Sequence, residues 1–137
     1  MALRTMTIPL IALLLASCAD LEANTQGRVQ PQAVSGPCQV QRFYLLGLRS
    51  VPTQMTVRNT GEACTFILIN PALNVAIAAA LVTGQPQHGR ALAQLISGDR
   101  QAAVSYAPMP GYVGPDRFEV TLEPNAVGIT VNVTVQP

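Results

Sequence analysis

Arg117-Phe118-Glu119-Val120-Thr121-Leu122-Glu123, then Pro124-Asn125-Ala126, then Val127-Gly128-Ile129-Thr130-Val131-Asn132-Val133-Thr134-Val135 is the stretch that decides the fold. Apolar residues recur at every second position on both sides of a short turn. Strict period-two alternation places Phe118, Val120 and Leu122 on one face of a strand, with Arg117, Glu119, Thr121 and Glu123 on the other. The same holds for Val127, Ile129, Val131, Val133 and Val135 against Gly128, Thr130, Asn132 and Thr134. This is a β-hairpin with one face on a core and one face in water.

Moving toward the N-terminus, short apolar runs continue to alternate with turn signals. Gln101–Tyr106 and Ala91–Ile96 are candidate strands separated by Ser97-Gly98-Asp99. Thr65-Phe66-Ile67-Leu68-Ile69 is a continuous apolar strand stopped by Asn70-Pro71. Met55 and Val57 alternate with Gln54, Thr56 and Arg58, and Asn59-Thr60-Gly61-Glu62 forms a turn. Val40–Leu46 is a further candidate. Leu73–Val82 is ambiguous: its alanines favour helix, whereas Val75, Ile77, Ala79 and Leu81 fit strand alternation. In an otherwise all-β chain it is taken as a strand. Some seven to eight strands broken by frequent turns predict an all-β, two-sheet sandwich over residues 38–137.

The 137 residues suit one domain. Charged residues are only 11% of the chain and every strong base is Arg. With Arg4 gone, the seven remaining Arg face seven acids and are scattered along the sequence. Such a chain lacks the basic stripe that nucleic acid requires, so no nucleic-acid partner is expected.

The first seventeen residues read as a signal peptide. Met1–Thr7 carries one positive side chain, and Ile8–Ala16 is an apolar run far shorter than the roughly 20 residues of a spanning helix. The run closes on Leu15-Ala16-Ser17-Cys18. This resembles the lipobox of bacterial lipoproteins: an aliphatic residue, two small ones and an acceptor cysteine. The resemblance implies that the Cys18 thiol takes a diacylglycerol and becomes the lipid-bearing N-terminus, anchoring the protein to a membrane by fatty acyl (palmitate-type) chains. A plain secretory signal, with Cys18 incidental, is the alternative. In the Gram-negative lipoprotein pattern an Asp directly after the cysteine favours the inner membrane. Ala19 stands there and Asp20 follows, which favours the outer membrane. Residues 18–37 are polar and broken by Gly27, Pro31, Gly36 and Pro37, the composition of a flexible tether.

Cys38 and Cys64 remain in the exported chain, where an even pair is most simply a disulfide. A metal pair is the alternative, but zinc wants four ligands and the chain has one His. No metal or other cofactor is expected.

Pro86-Gln87-His88-Gly89-Arg90 is followed by Val104-Ser105-Tyr106-Ala107-Pro108, by Gly111-Tyr112-Val113-Gly114-Pro115-Asp116-Arg117-Phe118, and by a closing Val-Thr strand. This pattern of P-x-H-G, Y-x-P and G-[FY]-x-G-x-D-x-F resembles the immunoglobulin-like and cadherin-like repeats of bacterial surface proteins. It covers about residues 85–137 and implies an immunoglobulin-like sandwich. Val120 stands where the family usually has an aromatic. Some members bind calcium with several acids. Only Asp99, Asp116, Glu119 and Glu123 lie nearby, so calcium is not carried over. The motif residues are expected to be structural. Gly89, Gly111 and Gly114 would supply positive φ in turns. Asp116 would cap a corner. Tyr106 and Phe118 would be core aromatics, Pro108 would belong to the same structural motif, and His88 would be a turn residue.

No nucleophile–base pair or glycine-rich phosphate loop is legible, so an enzyme is not expected. The expected function is a lipid-anchored, non-catalytic interaction or structural domain of the cell envelope, with a protein or polysaccharide partner. The alternative is a small lipoprotein inhibitor that inserts Ala107-Pro108-Met109-Pro110-Gly111-Tyr112 into the cleft of a lytic enzyme or protease.

Overall fold

The computed structural model describes residues 30–44, 50–69, 76–96 and 101–137. The expected signal peptide, Cys18 and the tether up to residue 29 lie outside the described residues. So do the Ser97-Gly98-Asp99 turn, the Asn70-Pro71 stop, Leu45 and Leu46 of one expected strand, and Leu73–Val75 of another.

Nine strands are seen among the described residues: β1 (Gln30–Ser35), β2 (Cys38–Val40), β3 (Val51–Arg58), β4 (Cys64–Ile69), β5 (Ala79–Gly84), β6 (Gly89–Ile96), β7 (Gln101–Pro108), β8 (Gly114–Glu123) and β9 (Val127–Gln136). They form a four-stranded sheet in the order β1-β4-β7-β6 and a five-stranded sheet in the order β2-β3-β9-β8-β5. All pairings are antiparallel except β3 with β9, which is parallel. From β4 onward the chain repeatedly changes sheets: β4, β6 and β7 lie in one, β5, β8 and β9 in the other. The two sheets form a β-sandwich, with β1 beside β4 at one edge of the four-stranded sheet.

The hairpin β8–β9 follows the sequence pattern. Phe118, Val120 and Leu122 are buried, as are Ile129, Val131, Val133 and Val135. Opposite them, the four-stranded sheet contributes Phe66, Leu68, Val104 and Tyr106. Fully burying each such large apolar side chain contributes about 1.5–3 kcal/mol. Phe43, beyond the end of β2, packs edge-on against Phe66 with ring centroids 6.4 Å apart. Thr53 is buried on β3, and its hydroxyl donates to the Gln41 carbonyl at 3.0 Å.

Three expectations change. Residues 30–35, assigned to the tether 18–37, form β1, which pairs with β4 from Gln30↔Ile69 to Ser35↔Thr65. Among the described residues the sandwich therefore begins at Gln30 and not at Cys38. Pro31 is tolerated because β1 is an edge strand that can do without one N–H. The candidate strand Val40–Leu46 ends at Val40 and instead starts two residues earlier, at Cys38. Within the candidate Leu73–Val82, the described residues Ala76–Ala78 are not in a strand, and β5 runs from Ala79 to Gly84. The addition of β1 brings the count from the expected seven or eight to nine among the described residues.

Gly36 carries the chain from one sheet to the other, between β1 and β2. Its φ is +99°, and a Cβ there would lie 2.3 Å from the Ala63 carbonyl oxygen. Two residues later, Cys38 on β2 is disulfide-bonded to Cys64 on β4, with 5.7 Å between Cα atoms. The bridge thus joins the two sheets at the corner where the chain crosses.

Candidate functional site

The motif residues converge at one end of the sandwich, around Asp116 on β8. This carboxylate is nearly buried, at 9% exposure. Its Oδ1 accepts from the Gln87 and Arg117 N–H groups, each at 2.9 Å. Its Oδ2 accepts from the His88 N–H at 3.0 Å and from the Tyr106 hydroxyl at 2.8 Å. Burial by itself pushes this carboxyl upward. The donors from Arg117, Tyr106, Gln87 and His88 together outweigh it and hold the group below the ordinary carboxylate range. Burial pushes the Tyr106 phenol well above its usual value, helped by its bond to Asp116 and the charges of Asp116 and Tyr112.

Asp116 was expected as a local corner cap. It reaches further: three of its donors come from residues 10 to 29 positions away. It fastens the β5–β6 loop to β8, and through Tyr106 it joins the two sheets.

Tyr106 and Phe118 are core aromatics, as expected, stacked at 5.7 Å and nearly parallel. Gly111 and Gly114 have φ of +75° and +141°, as expected for turn glycines. Gly89 does not belong with them, since no positive φ is found there. A Cβ on Gly89 would lie 2.5 Å from Tyr106 Cε2 and 2.7 Å from the Ala107 carbonyl oxygen. The absent side chain is what lets the Tyr106 ring lie against the start of β6.

His88 sits in the β5–β6 loop. Its ring stacks on Tyr112 at 4.1 Å with planes 2° apart. Its Nδ1 is buried and makes no hydrogen bond, so the ring is held by its face and the main chain by Asp116. Pro108 ends β7 and is buried.

The loop from Ala107 to Val113 is tied down along its length. The Met109 N–H donates to the His88 carbonyl at 2.8 Å, and the Tyr112 N–H to the Met109 carbonyl at 3.1 Å. The Tyr112 hydroxyl donates to the Pro115 carbonyl at 2.5 Å. Asn59, just after β3, donates through Nδ2 to the carbonyls of Met109 (2.8 Å) and Tyr112 (3.0 Å). Sequence reasoning placed Asn59 in a local turn and missed this role. Fifty residues separate donor and acceptor, and no local signal marks them. From this anchored loop Met109 and Val113 project, each about half exposed.

Beside the clasp, the outer face of the five-stranded sheet carries an open groove of about 740 Å³. Gln54, Gln87, Arg117, Glu119, Asn132 and Thr134 are among its lining residues. Arg117 and Glu119 are salt-bridged and largely exposed, a pair that contributes little to stability. Among the described residues no group of three or more His, Cys, Asp or Glu side chains is placed to hold a metal ion. No family model, curated protein or solved structure matches the chain.

Proposed function

We propose that this protein is a lipid-anchored component of the bacterial cell envelope whose sandwich is a non-catalytic binding domain, and that it binds through the loop Ala107–Val113. The observation that carries the binding role is this loop. Its backbone is held by Asn59 and His88 and its Tyr112 side chain by the Pro115 carbonyl, while Met109 and Val113 face solvent. A loop already ordered spends little conformational entropy on association, and two exposed apolar side chains supply a contact surface. The Asp116 carboxylate has both oxygens committed to structural donors, which fits a scaffold better than a general base. The Cys38–Cys64 disulfide fits an oxidising compartment, as export would require. Anchoring through Cys18 and placement at the outer membrane rest on the lipobox resemblance.

The same loop also suits the second reading, an inhibitor that inserts into an enzyme cleft, since it is ordered and apolar-tipped. Two experiments separate the possibilities. Fractionation of cells expressing the chain with Cys18→Ala should move it out of the membrane pellet; unchanged association would defeat the anchor. Capture from envelope extracts with the full chain, compared with Met109→Asp/Val113→Asp, should lose its specific partner while the melting temperature holds. A captured lytic enzyme whose activity falls in proportion to added protein would favour the inhibitor. Equal capture by both proteins would remove the loop from the binding role.

A further inference from the structure

The four sheet edges differ in how they are protected. β1 carries Pro31 and a register irregularity between Pro31 and Ala33. β2 is three residues long. β5 is six residues long, with an irregularity between Val82 and Gly84. β6 has none of these devices. It is eight residues, Gly89–Ile96, in unbroken register with β7 from Gly89↔Pro108 to Ile96↔Gln101. Its other side pairs with no strand among the described residues. It has no proline, and Arg90 is its one charge. A long, regular, nearly uncharged edge presents a row of unpaired N–H and C=O groups that favours addition of another strand.

Side-chain exposure points to the same edge. Leu92 lies on the outer face, in register with Ser105, and is 60% exposed. Leu95 is in register with Ala102, which is fully buried, so it belongs to the core side. It is nevertheless 42% exposed. A core-side leucine left this open is what an edge missing a neighbour would show.

We propose that β6 is a dimerisation strand: two copies of the chain pair antiparallel, β6 to β6, about a two-fold axis beside Ala93. The two four-stranded sheets then become one continuous sheet. The charge pattern favours a second copy over a charged peptide. With the axis at Ala93, Arg90 faces Ile96 of the other copy, Leu92 faces Gln94, and Leu95 faces Ala91. Each pair falls on a single face, as antiparallel strands require. The two Arg90 residues lie at opposite ends, about 20 Å apart along the strands, so the only charges on the strand do not meet. Each exposed Leu95 gains an apolar neighbour on the core side. An acidic or basic peptide would find almost nothing on this edge to pair with.

The test uses the full chain, with molecular mass measured by sedimentation over a range of concentrations. The parent should be dimeric at high concentration and dissociate on dilution. Leu92→Lys/Gln94→Lys should raise the dissociation constant at least tenfold with an unchanged melting temperature, because introduced ammonium groups face each other twice across the axis. Ala93→Cys should form an interchain disulfide under mild oxidation much faster than the parent or Thr60→Cys, a thiol on a remote exposed turn. This second measurement stands even if the double lysine variant folds poorly. Met109→Asp/Val113→Asp should leave the dimer intact, which keeps this inference separable from the binding role of the loop. A parent that stays monomeric at every concentration would overturn the proposal. So would a dimer indifferent to the lysines, or cross-linking of Ala93→Cys no faster than that of Thr60→Cys.

Discussion

The Tyr106 hydroxyl donates to Asp116 Oδ2 across the interior of the sandwich, at 2.8 Å, from β7 in one sheet to β8 in the other. The donor is fully buried and the acceptor nearly so. Hydrogen bonds to a charged group contribute about 1.5–3 kcal/mol, and losing one partner leaves the other unsatisfied. Tyr106→Phe should therefore cost about 2 kcal/mol in chemical denaturation. Asp116→Asn should cost at least as much, because one oxygen acceptor is replaced by a donor facing other donors. The double variant should be less destabilised than the sum of the two, since both remove the same bond. Simple additivity would show that the bond is energetically silent.

The clasp also sets the pH limits of the fold. The Asp116 pKa is lowered on folding, so its contribution is present above the unfolded carboxylate range, near pH 4. It is lost as pH falls through the folded value. The Tyr106 pKa is raised, so its contribution is complete below about pH 10 and declines as pH rises beyond it. Melting temperature measured against pH should show both falling limbs. Asp116→Asn should flatten the acid limb, and Tyr106→Phe should flatten the alkaline one.

Gly89 should not accept even a methyl group. Gly89→Ala places a Cβ within 2.5–2.7 Å of the Tyr106 ring and the Ala107 carbonyl. Overpacking of this kind costs about 1–3 kcal/mol. At Gly61, by contrast, a Cβ would meet nothing within 4 Å. Gly61→Ala should suffer only from its positive φ. A larger loss at Gly61 than at Gly89 in thermal melts would contradict the packing assigned to Tyr106.

Opening the Cys38–Cys64 bridge frees a loop whose ends are 26 residues apart. The chain-entropy account assigns roughly 3–4 kcal/mol to a loop of this size. Cys38→Ser/Cys64→Ser should lower stability by about that amount while far-ultraviolet circular dichroism stays that of a β-protein at low temperature. Added reductant should lower the melting temperature of the parent and leave the variant unmoved.

The legible parts of this fold were those where one strand's own residues settle its orientation. The β8–β9 hairpin alternates strictly, and β4 is a continuous apolar run; both stand where the pattern placed them. β1 could not be recognised this way. Gln30-Pro31-Gln32 reads as a tether, and it becomes a strand because β4 offers a ladder to pair with. β5 begins later than the alternation suggested: period two continues through Ala76–Ala78, which precede the strand, although the Ala78 N–H still donates to the Glu123 carbonyl. At the site, Asp116 was readable as a capping acid from its place before Phe118. That its partners would be Gln87, His88 and Tyr106 was not, because those contacts exist only after the two sheets meet. Asn59 was hidden for the same reason.

β1 lies N-terminal to Cys38, outside the covalent loop that the bridge closes. Pulling on the chain from its N-terminal side would thus meet two elements in sequence. Force would first strip β1 from β4, where backbone hydrogen bonds yield. It would then arrive at Cys38, where the sulfur bridge passes it directly to β4, in the middle of the sandwich. The residues from Gln30 to Ser35 would act as a short extensible leash. Domain unfolding would begin only beyond it, so modest tugs could be absorbed without disturbing the Asp116 clasp or the β6 edge.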